Sequence, residues 1–417
     1  MELPSPAPPA GTDRAEVSGR LTVHLVHPGN PRSTDPDGIV SVQRNFIRAA
    51  PEDLEFVYWG VGRPGAGETE ETEGTDGTDG IHFEPVVSSI KQRPRIPLSL
   101  KFAVGSLRTR ERIRRGILRF DRVESALPFL GSPLAKVLFL HVWDLDDVVG
   151  LHSDSRWRRL GRLYGRVLDA VVPRMDRVYV LRQEVGRRLA GRLPEVAQRV
   201  RPFGVPVDVS RFSPLDAAAR RAARAELSRQ LAIPRDARIV AFAGRLEAVK
   251  QPEAVAAVSQ VMTDDPRPVH FVIAGTGSLR RDMERTAGTA SPRRMHFMGP
   301  VSQERLASIL SAADACFLPS GFEAIPNVVL ESLACGTPVV ASTSSGGVAD
   351  LLAGQGVGKV ALNSPEGFAA ALREMFAWEG GRARACREAA MPFAPDAVNR
   401  DLYQDVRVMT GATVTPG

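Results

Sequence analysis

The sequence predicts an α/β protein of two doubly wound parallel-sheet domains facing a central cleft. Three observations predict it. Short runs rich in β-branched and aliphatic residues alternate with helical stretches, the pattern of βαβ units. This series occurs twice. A Pro/Gly-dense segment, Pro202-Phe203-Gly204-Val205-Pro206-Val207-Asp208 running on to Phe212 and Pro214, separates the two. At 417 residues the chain is long enough for two or three domains.

Residues 1–20 read as a disordered tail: residues 1–19 hold four prolines and lack the basic-then-apolar order of a secretory signal. The N-terminal domain is placed at 21–205, with strands at 21–26, 54–59, 119–127, 136–142 and 177–181 and helices at 39–50, 156–172 and 183–193. Two segments interrupt it. Residues 68–79 carry six acids, no base and no large apolar side chain, and read as a solvated insertion. Residues 91–122 carry eleven bases against two acids. There Leu100, Val104 and Leu107 would share one helical face, as would Ile113, Ile117 and Phe120, giving a basic amphipathic helix that suits an anionic membrane. A solvated basic face would read the same.

A linker is assigned to 206–215 and a C-terminal domain to 216–394. Its strands are predicted at 238–243, 269–274, 295–298, 315–318, 338–341 and 359–362, its helices at 251–262, 279–287, 303–312, 326–334 and 366–377. Open sheets of this kind bind ligands at the carboxyl ends of their strands, which directs attention to the loops there.

Composition excludes several classes. The net charge is +6, but residues 91–122 alone contribute +9, so the rest of the chain is slightly acidic. Basicity is thus local, and with no recognition motif a nucleic-acid partner is not expected. Three cysteines without a CxxC pair exclude a disulfide framework and a structural zinc site, and point to a reducing compartment. No apolar run reaches the ~18 residues of a membrane span.

The candidate chemistry lies in five places. Gly244-Arg245-Leu246-Glu247-Ala248-Val249-Lys250 follows the first strand of the second domain. The glycine permits a tight exit, and Arg245 and Lys250 place two cations where a diphosphate leaving group would need neutralising. Taken alone, a solvated loop with surface bases explains them as well. Lys250 is nevertheless unusual, as one of five lysines among 54 basic residues. In Glu323-Ala324-Ile325-Pro326-Asn327-Val328-Val329-Leu330-Glu331, Pro326 suits the first helical position. The free amides of that turn suit an anion, and either carboxylate suits adjacent sugar hydroxyls. A capping acid plus a surface acid is the plainer account. Gly275-Thr276-Gly277 resembles the start of a dinucleotide fingerprint, but Arg280 stands where the third glycine belongs, so it reads as a tight turn. Gly346-Gly347 marks another strand-to-helix turn that either approaches a phosphate or merely bends. His141 ends a strand of the first domain; a lone histidine is ordinarily structural, yet this position borders the crevice. Asp144, Asp146 and Asp147 lack metal-loop spacing and read as loop acids.

Taken together, these residues resemble the retaining family-4 glycosyltransferases of GT-B fold, which pair two Rossmann-like domains. The resemblance rests on FAGRLEAVKQ (242–251), FVIAGTGSLRRDM (271–283), the segment 296–342 with its Glu-x7-Glu and CGTPVVAS, and GGVADLL (346–352). The linker segment 201–214 also looks like the family's interdomain signature, whereas the first domain matches loosely, through its strand pattern, Gly38 and His141.

The resemblance implies a retaining transferase using a nucleotide-diphosphate sugar, with no cofactor and no metal. Arg245 and Lys250 would hold the diphosphate, aided by Gly244, Gly275 and the amides near Val328. Glu331 would bind the ribose and Glu323 the donor sugar. Gly38 would let the first domain approach the diphosphate, and His141 would sit beside the donor sugar. The family's favoured mechanism is front-face attack, the departing phosphate oxygen deprotonating the acceptor hydroxyl. A C-terminal helix within 395–417, at 395–409, would cross back onto the first domain. The acceptor would be a saccharide, lipid-linked or natural-product hydroxyl, and the location cytoplasmic, at the inner face of the plasma membrane if 91–122 docks there. The single glycine of Asp37-Gly38, and Ala324 and Pro326 in place of glycines common in the family, leave the donor sugar open. A non-catalytic nucleotide-sugar-binding or regulatory protein, and a GT-B nucleotide-sugar epimerase, are the alternatives. A dinucleotide oxidoreductase would rest on Gly275-Thr276-Gly277 alone.

Overall fold

A computed structural model describes residues 20–31, 38–62, 82–87, 98–141, 161–181, 183–288, 294–321, 326–345, 347–352, 356–378 and 382–410. The acidic insertion, Asp144, Asp146, Asp147, Glu323 and Gly346 lie outside the described residues.

The first sheet contains β1 (Leu21–Val26), β2 (Leu54–Val61), β3 (His82–Val87), β4 (Ile117–Phe120), β5 (Lys136–Leu140), β6 (Arg177–Val180) and β7 (Val200–Pro202), ordered β3-β2-β1-β4-β5-β6-β7. The second contains β8 (Arg238–Ala243), β9 (Val269–Ala274), β10 (Met295–Gly299), β11 (Ala315–Leu318), β12 (Val339–Ser342) and β13 (Gly358–Ala361), ordered β10-β9-β8-β11-β12-β13. Every pairing is parallel. The two α/β domains are therefore doubly wound as predicted. Their topological switch points lie between β1 and β4 and between β8 and β11, where the crossovers diverge and open a crevice at the carboxyl ends.

Central strands such as β9 and β11 are buried along their whole length, which explains their unbroken apolar runs. Helix starts are fixed locally. Ser302 accepts from the Arg305 amide and Ser364 from the Gly367 amide, each satisfying an otherwise orphan donor.

Three expectations are corrected. The strand placed at 119–127 is β4, ending at Phe120, followed by a 3-10 helix Val123–Phe129 containing Pro128. The basic amphipathic helix is not one element. A helix Leu98–Gly105 ends before a 3-10 turn Thr109–Glu111, and Ile117 and Phe120 are wholly buried in β4. β4 lies at the centre of a parallel sheet covered on both faces, so its side chains cannot serve a membrane-facing stripe. Pro326 occupies the N-cap, with φ −73° and ψ 135°, one position earlier than predicted. The extended ψ follows from capping geometry.

The segment joining the domains is packed rather than loose. Phe203, Val205, Val207 and Phe212 belong to one buried cluster that includes Val23 and Phe46 on one side and Ile239 and Ala390 on the other. The Asn45 amide donates to Pro206 O at 3.0 Å, and Arg387 donates to Phe212 O at 2.7 Å. The helix Pro395–Thr410 returns to the first domain. Tyr403 donates its hydroxyl to Phe46 O at 2.7 Å, Tyr179 donates to Asp405 at 3.0 Å, and Arg407 pairs with Asp53 at 2.7 Å.

Candidate active site

The loops leaving β8, β9 and β10 are laced together by their backbones. Gly244 N–H donates to Ala274 O, Gly275 N–H to Gly299 O, and Leu246 N–H to Thr276 O, at 3.0, 2.8 and 2.9 Å. The fit excludes side chains. Gly275 has φ +136°, and a Cβ there would lie 2.0 Å from Gly244 O; one on Gly277 would lie 2.4 Å from Leu246 O. The paired glycines thus answer to loop-to-loop contact, which accounts for them without a dinucleotide.

Leu246 is fully buried and anchors the loop, leaving Arg245 exposed beside it. Glu247 accepts from the Ser278 hydroxyl at 2.6 Å and amide at 2.9 Å. The Ser278 hydroxyl, its amide and the nearby Arg245 hold the Glu247 carboxyl below its ordinary range against a small opposing effect of burial. Lys250 ends a 3-10 turn (Ala248–Lys250) and is half-buried. Its chain folds back over Gly244, with Cε 3.9 Å from where a Cβ on that glycine would be. Arg245 and Lys250 therefore flank one glycine.

The β11 loop docks on the same turn. Gly321 N–H donates to Val249 O at 3.1 Å, and Gln251, itself in the left-handed region at φ +45°, accepts from the Asn363 amide at 3.0 Å. Beyond residues 322–325 begins the helix Asn327–Ala334. Among the described residues no side chain caps its first turn, which leaves the amides around Val328 suited to an anion. Glu331 sits one turn in, 7% exposed, and no described side chain donates to its carboxyl. Burial pushes that carboxyl up to about 7. Such a group is a desolvated acceptor for hydroxyl donors. The neighbouring thiols of Cys316 and Cys335 are pushed up to about 12 by burial and are chemically quiet.

In the first domain, Gly38 is the first residue of the helix Gly38–Arg48. His141 immediately follows β5 and its Nε2 lies 2.7 Å from Asp121 Oδ1. Asp121, just past β4, also accepts from Nε and Nη2 of Arg119, both at 3.1 Å. Arg119 is 1% and Asp121 4% exposed. The guanidinium lies between the Phe46 and Phe139 rings, 4.3 and 3.8 Å from their centroids. Burial pushes the Asp121 carboxyl up, but Arg119 and His141 together outweigh it and hold it far below the carboxylate range. Arg119 and Asp121 were not singled out from the sequence. Their i, i+2 spacing in a strand was the available signal, since it puts both on one face.

The structure thus brings Gly244, Arg245, Lys250 and Gly275 together, with Val328 and Glu331 on the helix entered from the adjacent loop. His141 and Gly38 belong to the other sheet. Among the described residues no three His, Cys, Asp or Glu side chains converge as metal ligands, and no helix is long and apolar enough to cross a membrane.

Comparison with known proteins follows this division. Solved structures align over both domains. Sucrose-phosphate synthase from Thermosynechococcus elongatus matches with a TM-score of 0.75 at 20% identity, over 94% of this chain and 100% of that one. WaaG, a glycosyltransferase involved in lipopolysaccharide biosynthesis, matches with 0.68 at 16% identity, over 94% and 100%. HepE from Anabaena, solved with UDP and glucose, matches with 0.69 at 14% identity, over 93% and 99%. At these identities the likeness shows the fold, and the fold is GT-B. Residues 237–377 match the family model described as Glycosyl transferases group 1. D-inositol 3-phosphate glycosyltransferase from Geodermatophilus obscurus is 31% identical over 272 residues, 63% of this chain and 56% of that protein. The Mycolicibacterium gilvum protein of the same name is 32% identical over 213 residues, 50% and 46%. The chain spans about half the length of the curated relatives it matches. Residues 237–377 thus resemble the group 1 glycosyl transferases, and the two domains together have the GT-B fold of the solved neighbours.

Proposed function

We propose that this protein transfers a sugar from a nucleotide-diphosphate donor to a hydroxyl of a saccharide, lipid-linked or natural-product acceptor, with retention at the anomeric carbon. One observation carries the reading: the β8 and β11 loops meet at Val249–Gly321, so that the loop bearing Arg245 and Lys250 adjoins the one that precedes the helix bearing Glu331. As the glycosidic bond breaks, negative charge grows on the diphosphate. Arg245 and Lys250 offset it, and the amides near Val328 add fixed dipoles. Glu331 accepts from the ribose hydroxyls, Glu323 orients the donor sugar, and Gly38 and His141 approach from the first domain. The departing phosphate oxygen takes the acceptor proton on the same face. No cofactor or metal enters this scheme.

The relatives named for D-inositol 3-phosphate make a phosphorylated cyclitol an acceptor to test, and HepE, also solved with UDP-glucose, makes that compound a donor to test. Lys250→Ala and Glu323→Ala should each abolish nucleotide-diphosphate release while the chain stays folded by circular dichroism. Normal turnover in both would refute the site. Tight donor binding without transfer or hydrolysis across many acceptors would favour a non-catalytic nucleotide-sugar-binding protein instead.

A peripheral location at the cytoplasmic membrane face is also proposed. Val104 and Leu107 are 64% and 53% exposed, and Arg108, Arg110 and Arg115 lie in the same segment. Apolar anchors amid cations suit an anionic bilayer surface.

A further inference from the structure

We infer that Asp121, charge-balanced by Arg119, is a positioning residue that holds His141 as a hydrogen-bond acceptor through Nδ1. This rests on the reading that His141 faces the sugar of the donor.

Asp121 receives three hydrogen bonds, two from Arg119 and one from His141. A carboxylate only accepts, so the proton between Asp121 and His141 belongs to Nε2. In the neutral ring Nδ1 then carries the lone pair, and no described residue donates to it. The ring can therefore receive a hydroxyl proton in a hydrogen bond, and cannot donate one from Nδ1.

Arg119 is the second part of the device. Arg119 neutralises Asp121 through two parallel bonds and is itself fixed between Phe46 and Phe139. A buried ion pair is weak evidence of added stability, since apolar side chains of similar volume commonly serve as well. What the pair supplies is a set direction and tautomer for a ring at the end of the neighbouring strand.

Two measurements test this. Nitrogen-15 NMR of histidine-labelled protein, with His141 assigned by its loss in His141→Ala, should show Nε2 protonated and Nδ1 unprotonated at mildly alkaline pH. A protonated Nδ1 overturns the inference. In turnover assays with UDP-glucose, UDP-N-acetylglucosamine and GDP-mannose, Arg119→Met/Asp121→Leu should lower kcat by up to about a hundredfold, as for a misplaced contact. Donor KM should change little. Adding His141→Ala to the pair variant should cost nothing further, because the pair acts through that ring. A pair variant with wild-type kcat, or losses that multiply in the combined variant, would overturn it. His141→Ala with full turnover would remove the underlying reading of His141; an impaired His141→Ala beside an unimpaired pair variant would remove this inference alone. The NMR measurement needs no change at the pair, so it decides even where that variant does not fold.

Discussion

Glu331 gives the sharpest energetic prediction. Its carboxyl is 7% exposed and burial raises it from an ordinary 4.5 to about 7. The unfolded chain releases this proton near 4.5, whereas the folded chain keeps it until about 7. Between those values the folded state binds more protons, so its stability falls as pH rises, and is flat above the window. A shift of about 2.5 units at 1.36 kcal/mol each amounts to about 3 kcal/mol. Glu331→Gln keeps the shape and removes the titration. Urea unfolding of both proteins from about pH 5 to about pH 8.5 would therefore show the variant ahead by no more than about 1 kcal/mol at the acid end, the lead growing to about 3 kcal/mol at the alkaline end. The other titrating groups cancel in the difference. A difference independent of pH would refute the argument that Glu331 is desolvated and without a charged partner.

Three further outcomes are expected. Gly275→Ala places a Cβ 2.0 Å from Gly244 O at φ +136°, so thermal melting should show a loss of at least ~1–3 kcal/mol, together with lost donor binding by calorimetry. Tyr403→Phe leaves Phe46 O without its 2.7 Å donor and should cost about 1–3 kcal/mol in urea unfolding; an unchanged midpoint would count against tight docking of the last helix. Val104→Asp/Leu107→Asp should abolish flotation with vesicles containing anionic phospholipid while moving stability by no more than about 0.5 kcal/mol, and failure of the parent protein to float at low salt would end the membrane proposal.

The sequence was most legible where burial is simplest. β8, β9, β11 and the helix Gln303–Ala312 were bounded to the residue, because uninterrupted apolar strands and a Ser302 cap leave few alternatives. The helix Ala217–Leu231 was not foreseen. It buries only Leu227 and Ser228, and is fastened by Arg220 and Arg224 to the carbonyls of Ser311, Ala312 and Ala313, so its apolar periodicity is weak. β3, an edge strand holding Pro85, and the three-residue β7 escaped for want of length and pattern. In the candidate site, Gly244, Arg245 and Lys250 were visible because position after a strand is a local property. The Arg119–Asp121–His141 network was not. It joins residues twenty positions apart on adjacent strands, and in a count of charges Arg119 passed for one more surface base. The spacing of Ile113, Ile117 and Phe120 suggests one helical face, where Ile117 and Phe120 belong to a central strand.

The returning helix also sets an order of events during synthesis. Phe46 and Asp53 leave the ribosome early, yet the groups that cover and pair with them, Tyr403 and Arg407, follow 357 and 354 residues later. At ~5–20 residues per second that interval is about 20 to 70 s. For that time the nascent first domain exposes the Phe46 face and the rim of β2 without their final cover. A newly made chain therefore passes through a stage in which its earliest domain is its least complete one. Chaperone occupancy, and sensitivity to truncation within 395–410, should concentrate on that surface rather than on the second domain, whose strands and helices follow one another closely in the chain.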